Sequence, residues 1–202
     1  AIQTKTNDSQ GKVTFESITL DSIGTFTYYI REVIPEEEER IDGVEYDDTV
    51  YRAVITTSWT DNGLTAETVY QIQNADGDWV TADEGAAFTN EYKAQGELNL
   101  TASKTVNGQS IQETEAGRFI FTLTPQGYAP GVTQTKTNNA DGTVAFDPIS
   151  FNLENEGETY TYLVQETGMA DGLASGIEGA YTVDTRVYTV SVTPRDNGDG
   201  TM

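Results

Sequence analysis

The chain has 202 residues, 36% of them hydrophobic, with 33 acidic against 11 basic residues and a formal charge of -22. Such a charge repels nucleic-acid phosphate and anionic membrane surfaces, and no apolar run approaches the roughly 18 residues that span a bilayer, so neither nucleic acid nor membrane insertion is expected. Cysteine and histidine are absent, which removes disulfides, thiol nucleophiles, the usual zinc ligand sets and every Ser-His-Asp or Cys-His mechanism; no cofactor motif stands out. Acidity can signal disorder, but 11 Tyr, 7 Phe and 2 Trp spaced with strand periodicity argue for a packed, globular segment.

Helical periodicity is nearly absent, whereas Thr, Val, Tyr, Ile and Phe alternate with polar residues between Gly, Asn and Asp clusters. The pattern predicts an all-β chain with strands near 11–18, 24–34, 49–59, 64–73, 85–92, 97–106, 118–125, 142–149, 158–167 and 185–194. Asn62-Gly63, Asp76-Gly77, Asn107-Gly108, Asp141-Gly142 and Asn197-Gly198 supply turns between them.

Four of these strands set a polar residue among apolar ones on one face. In the strand at 24–34, Glu32 shares its face with Phe26, Tyr28, Ile30 and Ile34. At 85–92, Asn90 aligns with Ala86, Phe88 and Tyr92. At 97–106, Lys104 aligns with Leu98, Leu100, Ala102 and Val106. At 158–167, Glu166 falls beside Tyr160, Tyr162 and Val164. Singly, the lysine reads as a snorkelling side chain and the Asn as a strand terminus, and the glutamates read as members of structural ion pairs. A glutamate repeated at the same place in two halves is harder to treat as accident.

The chain repeats itself. QTKTNDSQGKVTFESI from Gln3 returns as QTKTNNADGTVAFDPI from Gln134, YYIREV returns as YLVQET, and VYRAVITTSWTDNG returns as VYTVSVTPRDNG, in order and at an offset of roughly 131 to 137 residues. Tandem modules follow. Residues 1–94 read as the C-terminal part of one β-sandwich module and 97–202 as the N-terminal part of the next, joined by the short, stiff EYKAQGEL segment. Neither signal peptide nor anchor is visible, and the segment reads as part of something longer.

An inward Lys, Glu and Asn form a reactive set. Desolvation favours a neutral amine and a protonated carboxyl, so the amine can attack the carboxamide while the acid shuttles protons, ammonia leaves, and an amide joins the two side chains. The acidic turns at Asn74, Asn138 and Asp196 lack a complete calcium-binding loop and read as hairpin connections; Glu36 to Glu39 reads as a solvated loop. Trp59 and Trp79 read as strand-end packing rather than sugar platforms, and Lys93 as a solvated lysine.

Taken as an ordered set, LNLTASKTVNG, GRFIFTLTP, QTKTNNADGTVAF, YTYLVQE, VYTVSV and AAFTNEY resemble the isopeptide-forming repeat domains of streptococcal-type backbone pilins and Gram-positive surface adhesin stalks. The resemblance implies an Ig-like β-sandwich and an extracellular, cell-wall-attached surface or pilus location. Its partners would be neighbouring modules or copies of the same protein, with a host surface ligand as a further candidate. It also implies a lysine of the first strand bonded to an asparagine of the last, with a central glutamate as the acid: Lys104 and Asn90 for the cross-link, Glu32 and Glu166 as the catalytic acids. Neither half shows all three, so the expectation includes completion by strands from outside the segment or from another chain. The activity implied is single-turnover self-cross-linking, not turnover of a substrate. Two rival readings are an acidic β-sandwich adhesin module binding host glycan or protein, and a hydrolase. The hydrolase is disfavoured because paired glycosidic carboxylates need one shared cleft.

Overall fold

The structure is a computed structural model that describes residues 2–170 and 181–202. It is all-β. In chain order the strands are β1 (Gly24–Arg31), β2 (Val44–Glu45), β3 (Val50–Thr60), β4 (Gly63–Gln73), β5 (Trp79–Thr81), β6 (Glu91–Tyr92), β7 (Gln95–Leu98) and β8 (Thr101–Ser103). They continue as β9 (Thr105–Val106), β10 (Gln109–Ser110), β11 (Phe119–Pro125), β12 (Gln134–Thr137), β13 (Thr143–Ala145), β14 (Ile149–Asn152), β15 (Tyr160–Met169) and β16 (Val187–Val192). Helical structure among the described residues is limited to 3-10 turns such as Glu113–Glu115. No helix there is long and apolar enough to cross a membrane. The chain divides into two compact units, Ala1–Pro35 with Tyr46–Asn90, and Glu36–Glu45 with Glu91–Met202.

In the first unit an antiparallel sheet runs in the order β1-β3-β4-β5. Alternation dictates its faces: Phe26 lies opposite Ile55, Tyr28 opposite Ala53 and Ile30 opposite Tyr51, so these residues share one side. Thr57 is buried on the same side, where its hydroxyl donates to the Ser22 and Gly24 carbonyls. Coverage is thin, since Tyr51 and Ala53 are fully buried while Phe26, Tyr28 and Ile30 are half-buried.

The strand expected at 11–18 does not form, because residues 2–23 pair with no other strand among the described residues. A strand is a pairing as well as a pattern, and β-rich residues without a neighbouring ladder keep an extended but unassigned backbone. The expected strand at 85–92 likewise shrinks to β6, whose partner is β2.

The second unit is built in two layers. One is the antiparallel sheet β12-β11-β15-β16; the other is made of the strand pairs β14-β7 and β13-β8. Phe119, Phe121 and Leu123 of β11 and Tyr160, Tyr162 and Val164 of β15 meet Val144, Ile149 and Phe151 in one core, and Leu98, Leu100 and Ala102 pack against it. This is the sandwich arrangement that alternating strands reach when both layers are present. With its repeat, it makes the chain one of tandem Ig-like β-sandwich modules.

Candidate functional site

Lys104 sits between β8 and β9, and its backbone N–H donates to the Gly142 carbonyl at 2.8 Å. Gly142 is glycine for a reason: its φ is +87°, and a Cβ there would meet the Lys104 carbonyl oxygen at 2.5 Å. This contact fixes the height at which the lysine leaves its strand. Glu166 comes from β15, opposite Phe121, where a register shift between Ile120 and Phe121 interrupts the ladder.

The two side chains meet. Lys104 Nζ donates to Glu166 Oε2 at 2.7 Å, with side chains only 11% and 3% exposed. The other carboxylate oxygen, Oε1, is buried and has no hydrogen-bond partner among the described residues. The Asp184 backbone N–H donates to Oε2 at 3.3 Å. The lysine ammonium lies 4.3 Å from the centroid of the Phe119 ring, over its electron-rich face.

Phe119 is itself held in place. Its N–H donates to Asn138 Oδ1 at 2.8 Å, and Tyr181 packs edge-on against its ring. The Tyr181 hydroxyl donates to Glu115, whose carboxylate also accepts the Gln112 N–H in a capping box. The Tyr181 hydroxyl, then the Gln112 amide, hold the Glu115 carboxyl below its ordinary value, and Glu115 in turn pushes the Tyr181 phenol up. Beside the lysine a groove of about 490 Å³ is lined by Thr101, Ser103, Lys104, Glu166, Asp184 and Tyr188, among others. Arg186 pairs with Asp184 on this wall and pulls its carboxyl down to about 2.

The first unit holds the complementary pair. Asn90 Nδ2 donates to Glu32 Oε1 at 2.8 Å, and Asn90 Oδ1 accepts the Asp47 N–H at 2.8 Å. Asp47 also accepts the Thr89 N–H; its carboxyl is held low first by the Thr49 hydroxyl and then by that amide. Glu32 is half-buried rather than enclosed, and Asn90 is exposed. The inward orientation expected for Asn90 is therefore corrected: the strand around it is too short to press it against a covering layer.

Each unit thus brings together two of the expected residues, Glu32 with Asn90 and Lys104 with Glu166. Chemically, a carboxylate that touches an amine or a carboxamide can carry protons between them. Phe119, Tyr181, Glu115 and Asp184 went unread in the sequence. The alternation of Phe119, Phe121 and Leu123 could have flagged the first, whereas no local pattern marks the others. The acidic turn at Asn74 is an Asx turn, its side chain accepting the Asp76 and Asp78 amides. Trp79 packs against Tyr29 and under Arg52, while Trp59 is exposed. Lys93 pairs with Glu45 and Glu91.

The family model described as FctA, Spy0128-like isopeptide containing domain, matches residues 1–93 and again residues 100–202. No curated protein and no solved structure matches the chain. With nearly all of its length covered by two copies of that match, the chain belongs to the family of Spy0128-like isopeptide-containing, pilin-type structural domains.

Proposed function

We propose that the chain is a shaft or stalk segment of a Gram-positive, cell-wall-attached surface protein, stiffened by Lys-Asn isopeptide bonds that its own side chains form. Residues 1–94 act as the later part of one module and 97–202 as the earlier part of the next. In this reading Lys104 is the nucleophile, Asn90 the electrophilic carboxamide, and Glu32 and Glu166 the proton-handling acids. The reaction happens once per site, so the product is a structural protein and not an enzyme with turnover.

One observation carries the reading. The repeat aligns Glu32 with Glu166, and the two carboxylates hold different halves of one constellation: Glu166 Oε2 takes the amine, while Glu32 Oε1 takes the carboxamide. A single glutamate using both oxygens would hold amine and carboxamide together, and Glu166 Oε1, without a hydrogen-bond partner among the described residues, is the oxygen such a carboxamide would use. Condensation transfers a proton from the lysine to the carboxylate, forms the Nζ–Cγ bond and expels the Asn nitrogen as ammonia. The bond would then join first and last strands, so tension bypasses the hydrogen-bonded ladders.

The test uses the protein with a synthetic peptide of residues 84–94, which carries the carboxamide. Intact-mass measurement should show an adduct equal to the two masses less about 17 Da for the ammonia lost. The adduct should vanish with Lys104→Ala and fall steeply with Glu166→Ala. An adduct unaffected by Lys104→Ala, or none at all, refutes the assignment.

A further inference from the structure

We infer that the outward face of the first unit's sheet carries a binding site for a carboxylated sugar, built from Arg52, Arg31 and Tyr29 and braced by Trp79 and Gln71. Cross-strand register sets these residues on one face: Tyr29 lies opposite Arg52, Arg52 opposite Gln71, and Gln73 opposite Trp79. Arg31 follows Tyr29 by two residues along β1 and shares that face. Tyr51 and Ala53, both buried, take the other side. Trp79 therefore packs on the solvent side of the sheet and not on its core.

Arg52 is held in a fixed plane. Its guanidinium carbon lies 4.4 Å from the centroid of the Trp79 ring, and its Nε donates to Gln71 Oε1 at 2.7 Å. The two terminal nitrogens have no hydrogen-bond partner among the described residues and are not sealed from water. Beside them the Tyr29 ring, centred 6.0 Å from the Trp79 ring and tilted 60° to it, is 66% exposed. Arg31 is exposed as well, and neither arginine pairs with a carboxylate among the described residues. That is informative where 33 acidic residues are available to 11 basic ones, since Lys5, Lys93, Lys104, Lys136 and Arg186 each hold a carboxylate.

The fold does not require this patch. The internal repeat sets Leu163, Gln165 and Thr189 of the second unit at the positions of Tyr29, Arg31 and Arg52. The register is the same, with Leu163 opposite Thr189 as Tyr29 is opposite Arg52. One sheet carries two arginines and an open aromatic ring where its repeat carries none, so these side chains are an addition to the scaffold.

Their chemistry specifies the occupant. The terminal nitrogens of Arg52 present an end-on fork that grips a carboxylate through two hydrogen bonds, and Arg31 adds a second cation. Tyr29 offers a flat apolar face against which the C–H face of a pyranose can lie. The chain as a whole, at -22, repels a polyanion, so the ligand is an otherwise neutral glycan ending in one acidic sugar. An acidic peptide is less suited, because the face of a sheet offers it no main-chain ladder. The site is independent of the cross-link reading above.

The test titrates the protein with methyl β-glucuronide and with methyl β-glucoside, which differ only in a carboxylate against a hydroxymethyl group, and follows NMR shifts. The glucuronide should saturate with a Kd on the order of 1 mM and move the Arg52 Nε–H and Trp79 indole resonances, and the glucoside should bind at least about tenfold more weakly. The triple variant Tyr29→Leu, Arg31→Gln, Arg52→Thr installs the residues that the second unit's sheet accepts, so its circular dichroism should remain that of the parent while binding falls at least about tenfold. Lys136→Gln, in the second unit, should leave binding unchanged. No saturable shift, equal affinity for the two glycosides, shifts centred away from this face, or binding unmoved in the triple variant overturns the proposal. Tighter binding of hexaglutamate on the same face also overturns it, by making the occupant an acidic protein segment.

Discussion

Lys104 and Glu166 share a hydrogen bond of 2.7 Å inside the second unit, above the ring of Phe119, while the second oxygen of the same carboxylate has no partner among the described residues. A buried pair of this kind adds little net stability when intact, yet breaking it leaves a stranded charge. Glu166→Ala should therefore destabilise the second unit by about 3 kcal/mol, and the double variant Lys104→Met with Glu166→Leu should recover most of that loss. Urea unfolding of the three proteins checks this: a double variant no more stable than Glu166→Ala would mean the two residues do not act as a pair.

Gly142→Ala places a methyl group against the Lys104 carbonyl oxygen and forces a positive φ on an L side chain, whereas Gly11→Ala incurs only the second penalty. The backbone strain costs about 1 kcal/mol at either position. Gly142→Ala should lose clearly more stability than Gly11→Ala and should also displace the Lys104 side-chain resonances. Equal losses would contradict the close approach.

The same contrast extends to the core. Phe146→Ala empties a packed site and should cost about 3–5 kcal/mol, while Phe15→Ala, its half-exposed counterpart, should cost less than about 1 kcal/mol. Thermal or denaturant midpoints distinguish them directly.

How far the sequence could be read follows from these pairs. Alternation located β1, β3, β4, β11, β15 and β16, and it singled out Lys104 and Glu166 as polar residues on apolar faces, which the structure brings into contact. It could not tell residues 11–18 from 142–149, because the two stretches carry nearly the same pattern and, among the described residues, only the second has strands to pair with. Asn90 was misplaced inward for a related reason, since period-two reasoning assumes a strand long enough to have two faces. Tyr181 and Glu115 lie far apart in the chain, and their contact beneath Phe119 depends on tertiary packing that no local spacing encodes.

Stability should respond to pH on both sides. Arg186 lowers Asp184 from 3.8 to about 2, and the Tyr181 hydroxyl holds Glu115 below 4.5. Both carboxyls bind protons less readily when folded, so their contribution is complete above the unfolded values and is lost as pH falls through the folded ones. Tyr181 is raised above 10.0 by Glu115, so its share is complete below pH 10 and is lost as pH rises through the folded value. Denaturant midpoints should therefore fall at both extremes, and Tyr181→Phe should flatten the alkaline limb and shrink the acid one. An unchanged alkaline limb in that variant would contradict the assignment.

The most direct measurement is a tandem mass spectrum of the adduct between the protein and the peptide of residues 84–94. The account predicts a branched fragment in which Lys104 Nζ is bonded to Asn90 Cγ with one ammonia missing. A spectrum placing the link on Lys93 or any other lysine, or a mixture that stays unlinked while the peptide is bound, would contradict it.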